Sequence, residues 1–360
     1  MAEGQVSEAS VRQVLDRFQD PETGRSVVQL GQIHRLDLAD GRLAVTLGLT
    51  SWSAPLQGEI RDELAALLGT AFPRLEVRVD VEPHDRPAEK IGQVGLAAKS
   101  VIAVGSGKGG VGKSSMAAAL AYSLSQAGCH VGLMDADIYG PSIPHLIGTT
   151  ARPQMSGELI QPVVVDGLKV MSIGLMVPPG DAVIWRGPML HGALTQFLRD
   201  TDWGELDYLI VDMPPGTGDV ALSLAQLLPG AGAVVVCTPQ DVALLDAVKA
   251  VAMFRKVNID VLGMIENMSF FLCPDCHSRH EIFGSGGARR KAAELDVAFL
   301  GEVPLNTQFR VLGDEGRVGQ ILQQPEAKPY LDAICRGLVR NLVQRHRQQP
   351  TLPGLSVLNP

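Results

Sequence analysis

The sequence predicts an α/β protein with a mostly parallel sheet and helices on both faces, preceded by a small N-terminal α+β domain. After Lys99, short apolar runs alternate with helical stretches, the order found in chains that cross over between parallel strands. The apolar runs are almost continuous in Val, Ile and Leu, which indicates strands covered on both faces. Before residue 85 the order is instead helix, hairpin, helix and strand, and a polar segment with two prolines follows.

We expect residues 1–84 to form the small domain, 85–98 a linker, 99–346 the large domain and 347–360 a disordered tail. Helical spacing predicts helices over Ser10–Phe18 and Gly58–Leu68 in the small domain, and over Ser115–Ala127 and Val242–Lys256 in the large one. The small domain should contain strands over Val27–Leu30, Ile33–Leu38, Arg42–Leu49 and Leu75–Val81. The large domain should contain strands over Val101–Val104, Val131–Met134, Leu168–Ser172, Tyr208–Val211, Ala233–Cys237 and Val261–Ile265.

Composition narrows the classes of function. Of the 360 residues, 46% are apolar, which is enough for a large core, and the net charge of −8 argues against nucleic acid as the main partner. No apolar stretch approaches the roughly 20 residues that span a bilayer, and the first residues do not resemble a secretory signal. Five cysteines, an odd number, favour a reducing compartment. We therefore expect a cytoplasmic protein without stable membrane association.

A phosphate-binding loop follows the first strand of the large domain. Gly107–Ser114 matches G-x-x-x-x-G-K-[ST] between a strand and a helix, the context that the P-loop of an NTPase requires. Backbone N–H groups of such a loop, together with the helix N-terminus, bind phosphate oxygens. We expect ATP to be bound by Gly107, Lys108, Gly109, Gly110, Val111, Gly112, Lys113, Ser114 and Ser115.

Three of these side chains have separate expected roles. Lys113 should contact the β- and γ-phosphates, Ser114 should bind Mg²⁺, and Ser115 can add a hydroxyl to the phosphate site. Lys108 begins on the outer side of the loop, so its side chain need not face the phosphates of its own chain. A solvated lysine on a flexible loop is the alternative for Lys108.

Carboxylates end two of the predicted strands. Asp212 follows an apolar run of the Walker B type and should lie beside Mg²⁺, and the N–H of Gly216 could contact a γ-phosphate. Asp135 and Asp137 follow the strand Val131–Met134, at the sheet edge where α/β proteins bind ligands. We expect Asp135 near the metal and Asp137 to orient the attacking water, unless both simply cap the following turn.

Several segments together resemble one known family. They are Gly107–Ser114, Asp135-Ala136-Asp137, Trp185-Arg186-Gly187-Pro188-Met189, Asp212–Asp219, Thr238-Pro239-Gln240-Asp241 and Glu266-Asn267-Met268-Ser269. The chain resembles the Mrp/ApbC family of P-loop ATPases, which carry iron–sulfur clusters and belong to the deviant Walker A group with MinD, ParA and the nitrogenase iron protein. The resemblance covers about Lys99–Cys335.

The resemblance implies roles for particular residues. Lys108 would cross a dimer interface to the partner's nucleotide, Asp137 would act on the water, Asn267 would bind adenine, and Val303–Asn306 would close over the base. The first domain, with Asp20-Pro21-Glu22 and Leu47–Thr50, resembles a small iron–sulfur assembly domain. Many members of that domain carry a cysteine shortly after the Leu-Thr pair. Ser51–Pro55 contains none, which argues against cluster ligands here.

Cys273 and Cys276 form a C-x-x-C turn that can present two thiolates to one soft metal centre. Cys129, Cys237 and Cys335 lie next to or within apolar elements, so we expect them to be buried. Because clusters usually take four thiolates, the missing pair can come from a two-fold partner, and the family resemblance implies one bridging [4Fe–4S] cluster per homodimer. Two alternatives remain: a zinc site with His277 or His280 as further ligands, and a redox dithiol.

These patterns, with the family resemblance, predict an ATP hydrolase that carries an iron–sulfur cluster and transfers it to apo-proteins. Its expected partners are a second copy of the chain, apo iron–sulfur proteins and cluster-assembly scaffold proteins. The main alternative is a MinD/ParA-like positioning ATPase, supported by the basic amphipathic pattern of Leu331–Arg347. An electron-donating reductase, which would need a stable redox-active cluster, is a third possibility.

Overall fold

The computed structural model describes residues 6–176, 187–216 and 218–350. The chain divides into two compact units, residues 1–86 with 339–360 and residues 87–338. The predicted fold class, a mostly parallel sheet with helices and a small α+β domain, is confirmed. Along the described ranges, no helix is both long enough and apolar enough to span a membrane.

The small unit has a three-stranded sheet in the order β1-β2-β3. Strands β1 (Ile33–Ala39) and β2 (Arg42–Leu49) are antiparallel, and β3 (Glu76–Pro83) runs parallel to β2. Two helices accompany the sheet: α1 (Glu8–Leu15) and α2 (Gln57–Ala71), with a 3-10 turn over Ser51–Leu56. The core of this unit includes the fully buried Trp52.

Two boundaries in the small unit depart from the predictions for physical reasons. Helix α1 begins before Ser10, because the Ser7 side chain accepts from the N–H of Ser10 and forms a capping box with it. The strand expected over Val27–Leu30 is wrong. The hydroxyl of Ser26 accepts hydrogen bonds from Val28 N and Gln29 N, and this local bonding holds the segment as a turn.

The large unit is built on a mixed sheet whose main path has the order β16-β13-β12-β5-β11-β6-β10-β9. The pairs within β16–β10 are parallel, and β9 is antiparallel to β10. The path consists of β5 (Leu96–Gly105), β6 (Val131–Asp135), β9 (Val163–Val165), β10 (Leu168–Ser172), β11 (Leu206–Asp212), β12 (Gly232–Cys237), β13 (Asp260–Glu266) and β16 (Phe299–Glu302).

Helices and small hairpins complete the large unit. The helices are α3 (Lys113–Gln126), α4 (Ile143–Leu146), α5 (Gly187–Arg199), α6 (Gly218–Leu227), α7 (Asp241–Lys256), α8 (Gly287–Glu294), α9 (Thr307–Asp314) and the start of α10 (Lys328–Gln348). The hairpins pair β7 (Gln154–Ser156) with β8 (Leu159–Gln161), and β14 (Phe271–Leu272) with β15 (Arg279–His280). The middle of α3 is buried over Met116–Leu124, as expected for a helix packed on a sheet.

The segments expected to be a linker and a tail contain some regular secondary structure. Strand β4 (Lys90–Ile91) pairs with the start of β5, and Val94, Leu96 and Ala98 are buried. Residues 90–91 and 96–98 therefore belong to the sheet, where the apolar side chains of Leu96 and Ala98 are buried. Helix α10 continues to Gln348, and residues 351–360 lie outside the described residues.

Candidate functional site

The nucleotide site forms where three central strands end at the same edge of the sheet. Strand β5 leads into the P-loop, and β11 and β6 lie beside it, so that Asp212 pairs in register with both Val104 and Asp135. Parallel strands carry their C-terminal residues to one edge, which is where open α/β sheets bind ligands. The structure thus brings together the P-loop and both predicted metal carboxylates.

Three glycines of the P-loop occupy positions that a side chain would not tolerate. Gly110 and Gly112 have φ angles of 79° and 82°, in the left-handed region that favours glycine. A Cβ on Gly112 would also lie 2.2 Å from Asn267 Nδ2, and one on Gly107 would lie 2.0 Å from the carbonyl oxygen of Asp246. The loop is therefore held against α7 on one side and the end of β13 on the other.

Lys113 lies at the centre of the site, at the start of α3. Its Nζ is 2.5 Å from Asp212 Oδ1 and 3.8 Å from Asp137 Oδ2, and it donates to Ser114 Oγ over 3.1 Å. The side chain is buried, so the attraction between the two charges is screened less than in an exposed pair. The ammonium group offsets the charge of carboxylates that would otherwise be buried without compensation.

Asp135 and Asp212 are both fully buried and lie side by side. Burial, with the neighbouring Asp212 carboxylate adding to it, raises the pKa of Asp135 to about 8. Asp135 accepts hydrogen bonds from Asp137 N, Ile143 N and Ser172 Oγ, so it also organises the loop after β6. Burial likewise raises the pKa of Asp212, while Lys113 lowers it.

The donor set at this point fits Mg²⁺. Asp212 Oδ2 is buried and has no hydrogen-bond partner in the part of the chain that the structure describes. Two adjacent carboxylates near the Ser114 hydroxyl supply the hard oxygen ligands that Mg²⁺ prefers. A divalent cation would also favour the ionised form of both carboxylates, which burial opposes.

Asp137, Lys108 and Gly216 surround the phosphate site. A cavity of about 270 Å³ is lined by residues that include Lys108, Lys113, Ser115 and Asp137. Burial raises the pKa of Asp137, and Lys113 lowers it. The N–H of Gly216, which we expected to face a γ-phosphate, donates to Ser106 O over 3.1 Å. Its contact with phosphate stays a prediction. Lys108 is half-buried.

A second cavity of about 170 Å³ adjoins the P-loop and has the apolar character of a base-binding pocket. Asn267 contributes to it and donates from Nδ2 to Val111 O over 2.8 Å, which leaves its side-chain carbonyl as an acceptor. Leu305, from the segment predicted to close over the base, lines the same cavity. Phe309 and Arg310 of α9 also line it. Sequence reasoning missed them because α9 carries no motif.

Cys273 and Cys276 lie in the turn that joins β14 to β15. Cys276 is exposed and Cys273 half-buried, whereas Cys129, Cys237 and Cys335 are buried as expected. The turn is closed by Cys273 N bonding to Ser278 O and by His277 N bonding to Cys273 O. Hydrogen bonds from the Ser278 side chain, Ser278 backbone and Cys273 side chain, in that order, lower the pKa of the Cys276 thiol.

The hairpin offers two thiols, those of Cys273 and Cys276, as candidate metal ligands. Within residues 6–176, 187–216 and 218–350, no group of three or more His, Cys, Asp or Glu side chains could hold a metal ion. His277 has a φ of 57° in the turn, and His280 pairs with Phe271 in the β14–β15 hairpin. Neither converges with the two thiols as the zinc alternative requires.

The two segments of the small unit that carry its family resemblance, Asp20–Glu22 and Leu47–Thr50, are in contact in the structure. Thr50 Oγ donates a hydrogen bond to the Glu22 carboxylate, and Arg86 Nη1 lies 2.8 Å from Asp20 Oδ2. Gln32 Nε2 donates to Asp20 Oδ1 over 2.8 Å. This network is buried and carries no thiol, so it stabilises the domain without offering soft metal ligands. Trp185, Arg186 and Thr217, named in the family resemblance, lie outside the described residues.

Known protein families match both the P-loop region and the N-terminal region of this chain. A family profile described as NUBPL iron-transfer P-loop NTPase matches residues 97–339, and an iron–sulfur cluster assembly protein profile matches residues 8–81. The chain is 45% identical over 348 residues to an iron–sulfur cluster carrier protein of Deinococcus radiodurans, covering 94% of this chain and 98% of that protein.

Two further relatives extend the comparison. The iron–sulfur cluster transfer protein NUBPL of the mouse is 47% identical over 266 residues, covering 72% of this chain and 81% of the mouse protein. A solved nucleotide-binding protein of Archaeoglobus fulgidus, in complex with ADP and with Co, is 40% identical. It has a TM-score of 0.56 and covers 64% of this chain and 90% of that one. The chain therefore belongs to the NUBPL iron-transfer P-loop NTPase family, with an iron–sulfur assembly domain before the NTPase domain.

Proposed function

We propose that this protein is an ATP-dependent carrier of iron–sulfur clusters. Two copies of the chain would hold one [4Fe–4S] cluster between them through Cys273 and Cys276 and transfer it to apo-proteins. The observation that carries the proposal is a pair of accessible thiols on a short hairpin, placed soon after the strand that ends at the nucleotide site. The relatives named as cluster carriers support the same function.

The number of ligands supports a shared cluster. Clusters of this class are usually held by four thiolates, and the hairpin supplies two. The other three cysteines are buried, and burial raises the pKa of each thiol, so they are poor sources of further ligands. A two-fold axis through the cluster would double the two hairpin thiols to four. The cluster would then be exposed enough to leave, as a cargo must be.

The nucleotide chemistry rests on side chains grouped at one sheet edge. Lys113 would contact the phosphates, Asp137 would orient the attacking water, and Lys108 of the partner would contact the same nucleotide from across the interface. Ser114, Asp135 and Asp212 would hold Mg²⁺. That ion, when bound, neutralises charge on the phosphates. The protein is accordingly proposed to be a slow ATP hydrolase in a reducing, cytoplasmic compartment.

Nucleotide can influence the cluster only if it binds two arrangements of the dimer with different affinity. The loops after Asp137 and Asp212 contact the phosphate site, and the cysteine hairpin follows the base-binding Asn267 along the chain. We infer that ATP favours the arrangement in which the two hairpins share a cluster. Hydrolysis would then loosen the cluster for transfer.

The alternative function, a MinD/ParA-like positioning ATPase, was based on the basic amphipathic pattern of the C-terminal helix. The apolar face of α10 is buried: Leu331, Ile334, Leu338, Leu342 and Val343 are each at most 8% exposed. On the polar face, Arg340 and Arg347 donate to Glu59 and Glu63 within the small unit. A helix that is already packed in this way offers no apolar face to a lipid surface.

A transfer assay tests the proposed function. The anaerobically reconstituted protein is incubated with an apo-enzyme that needs a [4Fe–4S] cluster for activity, in the presence of an iron chelator. We expect the acceptor to gain activity in proportion to the cluster supplied, and MgATP to change the rate. A matched control supplies the same iron and sulfide without the protein.

Two outcomes of this assay would overturn the proposal. One is an acceptor that gains no more activity than in the matched control, since the chain would then add nothing to free iron and sulfide. The other is ATP-dependent co-sedimentation with liposomes or DNA by a protein that transfers no cluster, which would favour the positioning ATPase.

A further inference from the structure

Glu266 is a buried carboxylate that the nucleotide chemistry does not use. It is the last residue of β13, is fully buried, and lies in register with Cys237 of β12 and Glu302 of β16. A carboxylate in such a place is costly unless hydrogen bonds satisfy its oxygens. The hydrogen-bond donors to Glu266 therefore show which segments its carboxylate holds in place.

Three donors satisfy Glu266, and they come from both ends of one segment. Oε1 accepts from Ser269 Oγ over 2.5 Å and from Gly286 N over 3.1 Å, and Oε2 accepts from Ala288 N over 2.7 Å. Between Ser269 and Gly286 runs the segment that carries β14, the two cysteines and β15. The Glu266 carboxylate therefore contacts both the start and the end of the cysteine-bearing segment and holds them to the sheet.

The donors at the return end belong to the start of α8. Gly286 is the N-cap residue, with a φ of 68°, and its N–H and that of Ala288 point to the carboxylate. Helix N-termini favour negative charge, which suits a carboxylate at this position. Gly287 is packed tightly: a Cβ there would lie 2.4 Å from Leu244 Cδ1. The return end is therefore fixed to α7 as well.

The next residue in the chain after Glu266 is Asn267, the proposed base-binding residue. Asn267 donates from Nδ2 to Val111 O of the P-loop, and its backbone N–H bonds to Cys237 O. Met268 has a φ of 53°, which reverses the chain between Asn267 and Ser269. Asn267 consequently contributes to the base cavity while Ser269 returns to Glu266. A single peptide bond joins Asn267 to Glu266.

A second carboxylate holds the far strand of the hairpin. Glu302 accepts from Arg279 Nη1 over 2.8 Å and from Nη2 over 3.3 Å, and it lies 3.4 Å from Ser269 Oγ. The Arg279 guanidinium stacks over the Phe270 ring, 3.8 Å from its centroid. The hairpin is thus held to two adjacent strands of the sheet through one connected network.

We propose that Glu266 is the positioning residue that couples the nucleotide site to the cysteine hairpin. Its carboxylate holds both ends of the hairpin segment in a fixed relation to Asn267, so that binding of a nucleotide base alters the accessibility of Cys273 and Cys276. The inference rests on the proposed function only in taking the hairpin to be the cluster-binding element. Its test needs no cluster.

The experiment measures alkylation rates of Cys273 and Cys276 by peptide mass spectrometry, on the reduced, metal-free full chain, with and without MgATP. In the wild type we expect MgATP to lower the rates about fivefold or more, the lower range of allosteric coupling. In Glu266→Gln the amide NH₂ replaces one carboxylate oxygen and faces one of the two backbone donors, so the MgATP effect should fall to less than about twofold, with ATP binding retained. Glu294→Gln, an exposed carboxylate on α8, is the matched control and should behave as the wild type.

Ser269→Ala keeps the proposal open to refutation if Glu266→Gln does not fold, because it removes a single donor and leaves the backbone contacts. We expect Ser269→Ala to reduce the MgATP effect on the alkylation rates without abolishing it. The proposal is overturned if the wild type shows no MgATP effect, or if the folded variants keep the full effect. Since no cluster is present, a failed transfer assay with a positive alkylation result would count against the carrier function alone.

Discussion

Replacing Cys273 and Cys276 together by alanine should abolish cluster binding after anaerobic reconstitution, from about one [4Fe–4S] cluster per two chains to none. The hairpin carries the only accessible thiols among the five cysteines, and two thiolates per chain are half of a four-ligand set. The measurement is iron and acid-labile sulfide per chain, together with the absorption spectrum. Folding should be unchanged, because the turn is held by backbone hydrogen bonds.

A Cys129→Ala, Cys335→Ala double variant is the matched control. Both residues are buried, and neither is expected to reach a cluster. We expect this variant to keep the full cluster content at some cost in stability, since small deletions in a core typically cost about 1 kcal/mol each. Full cluster content in the Cys273 and Cys276 variant would refute the assignment. In the wild-type protein, one zinc ion per chain and no iron would instead support the zinc alternative.

Lys113→Ala should lose ATP binding by two to three orders of magnitude, whereas Lys108→Ala should bind ATP and fail to hydrolyse it. Lys113 is proposed to contact the β- and γ-phosphates, and removing one partner of a buried, hydrogen-bonded charge pair costs about 2–5 kcal/mol of binding free energy. Lys108 is half-buried at the mouth of the cavity and is proposed to act on the partner's nucleotide. Removing a charge supplied in trans lowers kcat by about 10³-fold or more in related phosphoryl transfers.

Calorimetric titration with ATP measures the loss of binding, and an assay of phosphate release measures the loss of hydrolysis. Mixing the two inactive variants provides the control. In a mixed dimer, one site combines Lys113 of one chain with Lys108 of the other, and roughly a quarter of the wild-type activity should return if subunits exchange freely under two-fold symmetry. Thermal melts establish that each variant is folded. If mixing restores nothing while exchange is demonstrated, Lys108 acts within its own chain or not at all.

The sequence predicted those parts of the site that depend on short-range patterns. Gly107–Ser114 is a contiguous motif, and Asp135 and Asp212 end apolar runs, so their positions at the sheet edge follow from strand direction alone. The burial of Cys129, Cys237 and Cys335 also agrees with the local pattern. In each case the informative residues are close together in the chain.

What the sequence did not predict depends on contacts between distant segments. Glu266 reads as the end of an apolar strand, and its role emerges only when Ser269, Gly286 and Ala288 fold back onto it. Phe309 lines the cavity beside Asn267 because the fold brings α9 to the same cavity as Met116 of the P-loop helix. The turn at Val27–Leu30 follows from the Ser26 hydroxyl, which outcompetes the strand propensity of the two valines.

The central claim is that two chains share one cluster, and native mass spectrometry of the anaerobically reconstituted protein tests it most directly. We predict a species of two chains with a single [4Fe–4S] cluster, which separates into monomers without cluster when the cluster is removed by a chelator in the absence of nucleotide. A monomer that carries a complete cluster of its own, or a dimer that carries two, would contradict the account.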